Sequence, residues 1–196
     1  MPSLFQRERP AHYLIAHVDG GARGNPGPAG YGVLLEDETG ATVAELSEFL
    51  GIRTNNFAEY AGLIAAIAYA ASHKHDALMV VSDSELLVKQ MKGQYKVRAP
   101  ELVTLHKRAQ EMLRPLAWFE IQHVRREQNR DADRLANQAM DSGMPGATTV
   151  RADAYAKKPQ PAATPREANG VVKNGVVEFL GEPLHEGALV KVRRKD

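Results

Sequence analysis

Hydrophobic and polar residues alternate along the first fifty residues, and this pattern predicts β-strands. The runs 12–18, 31–35 and 42–49 alternate, or stay apolar, over the length of a strand. Polar residues and Gly40 separate the last two runs, which is typical of a hairpin. The glycine-rich segment 19–30 predicts a turn between the first two runs. Three strands so close in sequence favour an antiparallel meander.

Helices and strands alternate in the following hundred residues. The segment Thr54-Asn55-Asn56 offers N-cap side chains before a helix rich in Ala, Leu and Ile that extends to Ser72. The apolar run 77–82 is typical of a strand buried on both faces. Further elements are predicted as helices over 84–91, 100–114 and 131–141 and as a strand over 117–124. The order β-β-β-α-β-α-α-β-α predicts an α/β fold, a mixed five-stranded sheet with helices on its faces.

The composition changes after Gly143. Residues 143–170 contain four prolines and many alanines, which is typical of an extended linker. Residues 171–196 regain a β pattern, with two strands around an Asn-Gly turn and a third strand after them. So short a segment buries little surface alone, so it is expected to dock on the main domain or to pair with a copy of itself. We therefore predict a domain over 1–142, a linker over 143–170 and a small β-rich module over 171–196.

Composition and charge exclude several classes of protein. Hydrophobic residues make up 43% of the chain and charged residues 25%, as in ordinary globular proteins. The sequence has no cysteine, no apolar run of membrane-spanning length and no secretory signal pattern, so we expect a cytoplasmic protein without a membrane partner. Residues 1–142 carry sixteen Lys and Arg against eighteen Asp and Glu, a net charge of −2. Bulk positive charge therefore does not drive binding to a polyanion.

Four carboxylates lie near predicted ends of elements. Asp19 is expected to end the first strand, Asp83 follows the buried strand, Glu59 lies in the first turns of a helix, and Asp133 begins the last helix. Carboxylates that converge at the strand ends suit Mg²⁺, and a pair of such ions can hydrolyse a phosphodiester. Each position also has a structural interpretation, as a turn residue, an N-cap or a partner of the helix dipole.

Four segments together resemble type 1 ribonuclease H, in order and in spacing. They are YLIAHVDGGARGNPGPAGYGVLL, TNNFAEYAGLIAAI, MVVSDSELLVKQMKGQYKV and HVRREQNRDADRLANQA, and they span about residues 12–142. The chain lacks a long basic insertion after Asp83, so it is most similar to the compact form of archaeal and some bacterial members.

The resemblance implies an endoribonuclease that hydrolyses the RNA strand of RNA–DNA hybrids without sequence specificity. It implies two-metal-ion catalysis with Mg²⁺, or with Mn²⁺, and products with 3′-hydroxyl and 5′-phosphate ends. The family's catalytic and metal-binding carboxylates correspond to Asp19, Glu59, Asp83 and Asp133. Two alternatives stay open: a broader nuclease that also cuts double-stranded RNA or RNA–DNA junctions, and a non-catalytic module that binds hybrids.

Further site residues follow from the same resemblance. The substrate-binding positions correspond to Gly20, Gly21, Asn25, Thr54, Asn55, Asn56 and Gln90, with helix capping as the alternative for residues 54–56. A basic strip on the DNA side, or else a solvated charged face, is predicted from Lys89, Lys92, Lys96 and Arg98. Better-known members carry a histidine in the loop before the last catalytic Asp, whereas the loop 125–129 has none. Arg126, with Arg125 as the alternative, is expected to take part of that role by stabilising charge on the departing phosphate.

The C-terminal module is similar to the small swapped-hairpin β-module of transition-state regulators and antitoxins. This resemblance is confined to a short segment, 171–192. It implies a homodimer formed through the module, or added affinity for nucleic acid.

Overall fold

The computed structural model describes residues 8–143, 169–173 and 176–180. The chain divides into two compact units, Met1–Tyr155 and Ala156–Asp196. Among the described residues, no helix combines the length and the apolar character that a membrane span requires.

The first unit is a five-stranded mixed sheet with helices on both faces. Its strands are β1 (Leu14–Ala22), β2 (Gly27–Glu36), β3 (Thr42–Arg53), β4 (Ala77–Ser82) and β5 (Trp118–His123). Its helices are α1 (Asn55–Ser72), α2 (Glu85–Met91), α3 (Pro100–Leu113) and α4 (Arg130–Ser142). The order across the sheet is β3-β2-β1-β4-β5, with β1 and β3 antiparallel to β2, β4 parallel to β1, and β5 parallel to β4. The predicted fold is confirmed.

The glycine-rich segment differs from its prediction as a long turn. β1 continues to Ala22 and β2 begins at Gly27, and Gly21 pairs with Gly30 across the two strands. Asp19 therefore lies inside β1 rather than at its end. The physical reason is packing: a Cβ on Gly20 would lie 2.2 Å from the backbone nitrogen of Glu59 in α1. These glycines allow helices to approach the strands closely, and this tertiary requirement overrides their local preference for turns.

Helices α1 and α4 cover opposite faces of the sheet at β1. Adjacent strand residues point to opposite faces, and a Cβ on Gly20 would meet α1 whereas one on Gly21 would meet Met140 of α4. The main core lies on the α1 side, where Leu63 and Phe119 are fully buried. On the other side, a Cβ on Gly32 would lie 2.3 Å from the carbonyl oxygen of Ala132. The two helices are thus held tightly against the strands that carry the site.

The described part of the second unit is a β-hairpin. Strand β6 (Asn169–Lys173) pairs antiparallel with β7 (Val176–Leu180), with Val172 opposite Val177. The pairing of the first two strands predicted for the C-terminal module is confirmed. The Asn174-Gly175 turn, the third strand and nearly all of the predicted linker lie outside the described residues.

Candidate functional site

Two carboxylates lie side by side where the parallel pairing of β1 and β4 ends. The parallel pairing of these strands ends at Val18 and Ser82, and the next residues are Asp19 and Asp83. Strand order reverses here, because β1 is followed in the chain by β2 on one side and β4 lies on its other side. The crevice beyond the carboxyl ends of strands at such a switch point is where α/β folds place their sites.

The helices bring the other two carboxylates to the same place. Glu59 comes from the second turn of α1 on one face of the sheet, and Asp133 from the first turn of α4 on the other. All four line a single pocket of about 320 Å³. Asn55, Ser84, Arg126, Asn137 and Met140 also line it, as do residues 20–23. The four carboxylates thus converge on one pocket, and their role as metal ligands stays a prediction.

Burial and mutual repulsion act on the two innermost carboxylates. Burial raises the pKa of Asp19 to about 7, and the negative charges of Asp83 and Asp133 add to the effect. Burial likewise raises the pKa of Glu59 to about 7, against hydrogen bonds from Ser84 and Asn55 that favour the ionised form. The ionised carboxylates therefore repel one another in this pocket, and a bound cation would reduce that repulsion.

Glu59 is held by one residue of its own helix and one from the start of α2. Asn55 Nδ2 donates to Glu59 Oε1 at 2.9 Å, and the Ser84 hydroxyl donates to Glu59 Oε2 at 2.6 Å. Ser84 also accepts a hydrogen bond from the backbone N–H of Leu87 as the N-cap of α2. One hydroxyl therefore joins the start of α2 to the carboxylate of α1.

Asp133 has a cationic partner. Arg126, in the 3₁₀ turn Arg126–Gln128, places a guanidinium nitrogen 2.5 Å from Asp133 Oδ1, and Asn137 Nδ2 lies 3.2 Å from Oδ2. The Arg126 side chain is largely exposed, at 74%. The guanidinium that was predicted to act at the site therefore lies at its open side.

The donor chemistry of the pocket fits a hard divalent cation. Its potential ligands are carboxylate oxygens, the ligands that Mg²⁺ takes. Two arginines, Arg23 and Arg126, also line the pocket, and Arg126 is ion-paired with Asp133. Within residues 8–143, no three acidic or histidine side chains already form a complete metal-ligand set. The oxygens of Glu59 and Asp133 are hydrogen-bonded to protein groups instead. Each of these carboxylates has about four lone-pair sites, so the hydrogen bonds leave acceptor capacity for an ion.

The predicted substrate-binding residues divide into two groups. Gly20, Gly21 and Asn55 line the pocket. Thr54 caps α1 by accepting from the N–H of Phe57, as in the capping interpretation, and Asn25 Oδ1 accepts from the N–H of Asn55 at 3.1 Å. Asn56 lies beside them in the first turn of α1.

Gln90 does not line the pocket. It is 6% exposed, and its Oε1 accepts a hydrogen bond from the buried Tyr60 hydroxyl at 2.9 Å. In the predicted basic strip, Lys89 is ion-paired with Glu85 at 2.6 Å and lies over the ring of Tyr95. Contacts of Gln90 and of the strip with a substrate stay predictions.

Ser84, Asn129, Asn137 and Met140 were not predicted from the sequence as site residues. The spacing of Asn137, four residues after Asp133 on one helix face, is a signal that could have identified it. Asn129 reaches the site through a bond to a distant strand, which no local spacing encodes.

Comparisons with known proteins point to one family. The reverse transcriptase-like family matches residues 17–139. Ribonuclease HI of Halobacterium salinarum is 43% identical over 126 residues, covering 64% of this chain and 63% of that protein. The bifunctional protein Rv2228c of Mycobacterium tuberculosis is 42% identical over 142 residues, covering 72% of this chain and 38% of that protein. The chain thus matches less than two thirds of the length of either relative.

A solved structure extends the similarity to the fold. The crystal structure of LC11-RNase H1 in complex with an RNA/DNA hybrid superimposes with a TM-score of 0.63 at 40% identity. The match covers 66% of this chain and 97% of that chain. The shared part is the domain that carries the pocket.

Proposed function

Because the chain belongs to the reverse transcriptase-like family and its first unit is a type 1 ribonuclease H-like domain, we propose that it hydrolyses the RNA strand of RNA–DNA hybrids. The observation that carries this proposal is the pocket at the β1–β4 switch point, where four carboxylates from four elements meet. Carboxylates in such a group hold divalent cations, and hydrolysis of a phosphodiester is the chemistry that these cations support. The products are expected to carry 3′-hydroxyl and 5′-phosphate ends.

Asp19, Glu59, Asp83 and Asp133 would hold the cations, with Mg²⁺ as the expected ion and Mn²⁺ as a substitute. When bound, the cations lower the pKa of an attacking water and neutralise charge on the leaving oxygen. Two ions per site follow from the family resemblance.

The chain's own residues orient the carboxylates and the substrate. Ser84 and Asn55 restrict rotation of the Glu59 side chain, because each engages a different carboxylate oxygen. Glu59 is expected to lie near the 2′-hydroxyl of the RNA strand, the group that separates RNA from DNA. Gly20 and Gly21, at the pocket wall, are expected to offer backbone N–H groups to the same strand.

Arg126 is expected to stabilise the departing phosphate. Its guanidinium pairs with Asp133 at the open side of the pocket, within reach of a group that leaves toward solvent. The bidentate donor geometry of a guanidinium suits phosphate oxygens. In the loop 125–129, which has no histidine, this charge stabilisation would supply part of the histidine's role, without its proton transfer.

The experiment that tests the function compares substrates. End-labelled RNA–DNA hybrid, double-stranded RNA and double-stranded DNA are incubated with Mg²⁺, Mn²⁺ or chelator. The proposal predicts cation-dependent cleavage of the RNA strand of the hybrid. Cleavage of double-stranded RNA at a similar rate would favour the broader nuclease, since the two duplexes share A-like geometry and 2′-hydroxyls. Tight hybrid binding without cleavage under any cation would contradict the proposal and favour a binding module.

For the second unit, the proposed role is dimerisation. Its described hairpin is compatible with the predicted pairing of two chains through residues 171–196. Dimerisation and a cytoplasmic location are proposals from the sequence, and the first is checked by sedimentation of the full chain.

A further inference from the structure

Asn129 is hydrogen-bonded to two of the segments that carry the pocket carboxylates. The residue immediately precedes α4 and is 1% exposed. Its Nδ2 donates to the carbonyl oxygen of Val18 at 3.0 Å and lies 3.2 Å from Oδ1 of Asp83. Val18 is the neighbour of Asp19 in β1. A single buried amide therefore links the end of the β1–β4 pairing to the carboxylate that follows β4.

The same residue is bonded to the fourth carboxylate's backbone. The carbonyl oxygen of Asn129 accepts a hydrogen bond from the N–H of Asp133 at 3.0 Å. Asn129 thus contacts three of the four segments that bear the carboxylates: it contacts Asp83 and Asp133 directly, and it contacts Val18, the neighbour of Asp19. The contact to Asp83 is the one made to a carboxylate oxygen itself.

The orientation of the amide is fixed by its surroundings. Val18 and Asp83 present oxygen acceptors to one end of the amide, so that end must be the nitrogen; a rotated amide would face both with its own oxygen. In the fixed orientation, Oδ1 is buried and has no hydrogen-bond partner within residues 8–143.

The position of Asn129 does not serve local stability. Its buried Oδ1 has no protein partner within residues 8–143, which is unfavourable for the folded state. Asn129 also occupies the N-cap position of α4 without making a side-chain capping bond. Neither feature favours stability. The favourable contribution of this side chain is the pair of hydrogen bonds that Nδ2 donates to Val18 and Asp83.

We propose that Asn129 is a positioning residue that fixes the carboxylate of Asp83 beside Asp19. By engaging one oxygen of Asp83, the amide restricts rotation of the carboxylate and sets its direction before a cation binds. The inference rests on the proposed function, because it assigns a role at the same site. Removal of a protein group that orients a metal-binding carboxylate typically lowers metal affinity or activity by about 10- to 100-fold.

The test uses the full chain as wild type, Asn129→Ala, Asn129→Leu and Leu113→Ala. The leucine at 129 keeps the branched shape of asparagine but lacks the donor. Leu113, in the core at α3 and 3% exposed, does not line the pocket, so its truncation serves as the control for lost stability alone. Each variant is measured for free energy of unfolding, for kcat and KM on the hybrid, and for the Kd of Mg²⁺ by calorimetry without substrate.

Both substitutions at 129 are expected to lower kcat about 10- to 100-fold and to raise the Kd of Mg²⁺ about 10-fold or more. KM for the hybrid is expected to change little, because Asn129 does not line the pocket. The control Leu113→Ala is expected to lose stability while its folded fraction keeps the wild-type kcat and Kd. Wild-type values in Asn129→Leu would assign the residue to space filling and overturn the proposal.

The outcomes separate this inference from the proposed function. If the wild type cleaves and Asn129→Ala behaves as Leu113→Ala does, the positioning role is wrong and the function stands. If the wild type binds Mg²⁺ without cleaving, the function is wrong, and the Kd of Asn129→Ala alone decides the positioning role. If the wild type neither cleaves nor binds Mg²⁺, both are wrong.

Discussion

The hydroxyl of Ser84 donates to Glu59 Oε2 at 2.6 Å and accepts from the N–H of Leu87, so it connects the start of one helix to a carboxylate on another. Glu59 is a buried acid whose pKa is raised to about 7, and this hydrogen bond acts in the opposite direction by favouring the ionised form. The geometry of Ser84 therefore affects both the stability of α2 and the charge of the pocket.

Ser84→Ala is expected to raise the pKa of Glu59 further in the cation-free protein. The acceptor loses a donor that stabilised its charge. Loss of the cap is also expected to cost about 1 kcal/mol of stability. Ser84→Thr keeps the hydroxyl and serves as the control. Carbon-detected NMR titration of Glu59 checks the prediction, and an unchanged pKa in Ser84→Ala would contradict it.

Arg126→Ala is expected to lower kcat about 100-fold, on the scale of losing one charge-stabilising donor. The exposed guanidinium pairs with Asp133 and is not itself a cation ligand, so Mg²⁺ affinity should persist or increase. Arg134→Ala is the matched control, because Arg134 also lies near Asp133 in sequence but pairs with Glu45 outside the pocket. Equal kcat values for the two variants, from steady-state cleavage, would remove Arg126 from the mechanism.

The cation-free protein is expected to lose stability as pH rises from about 4 to about 7. Asp19 and Glu59 have a pKa of about 7 in the folded state, whereas unfolded carboxyls titrate near 4. In that window the folded state binds protons that the unfolded state has released, so the free energy of unfolding falls with rising pH. Asp19→Asn should flatten this dependence and be the more stable protein at pH 8. Urea denaturation at a series of pH values measures the free energy of unfolding of both proteins. The same pH dependence in the wild type and in Asp19→Asn would contradict a raised pKa of Asp19.

Gly20→Ala is expected to destabilise the fold by about 3 kcal/mol or more, the upper range for overpacking. Its Cβ would lie 2.2 Å from the backbone nitrogen of Glu59, and backbone yields little. In Gly21→Ala the nearest atom is the flexible end of Met140 at 2.9 Å, so the cost should be smaller. Denaturant unfolding of both variants compares them. A smaller loss in Gly20→Ala than in Gly21→Ala would show that the contact with α1 is not tight.

The sequence predicted those parts of the fold and site that depend on local signals. The apolar run ending at Ser82 defined β4 and hence the place of Asp83, and Thr54 marked the start of α1 and hence the place of Glu59. The family resemblance gave the same four carboxylates. These predictions succeeded because a continuous apolar run and a capping side chain are local features of the sequence.

The parts that the sequence did not predict depend on contacts between distant segments. Gly20 and Gly21 were assigned to a turn, but they lie in β1 because α1 and α4 pack against them. Asn129 belongs to the site through Val18, which is 111 residues earlier in the chain. Neither relationship has a signature in local spacing, because it exists only once the sheet has brought the segments together.

The proposed function assigns cleavage of the RNA strand of a hybrid to the carboxylates at the β1–β4 switch point. Single-turnover cleavage of a hybrid with labelled RNA in Mg²⁺ tests this assignment in the wild type, in Asp83→Asn and in Asp37→Asn, a control in the β2–β3 turn outside the pocket. We expect 5′-phosphate products from the wild type and from Asp37→Asn. Asp83→Asn is expected to fold and to bind the hybrid but to give no products. Cleavage by Asp83→Asn at the wild-type rate would contradict this assignment.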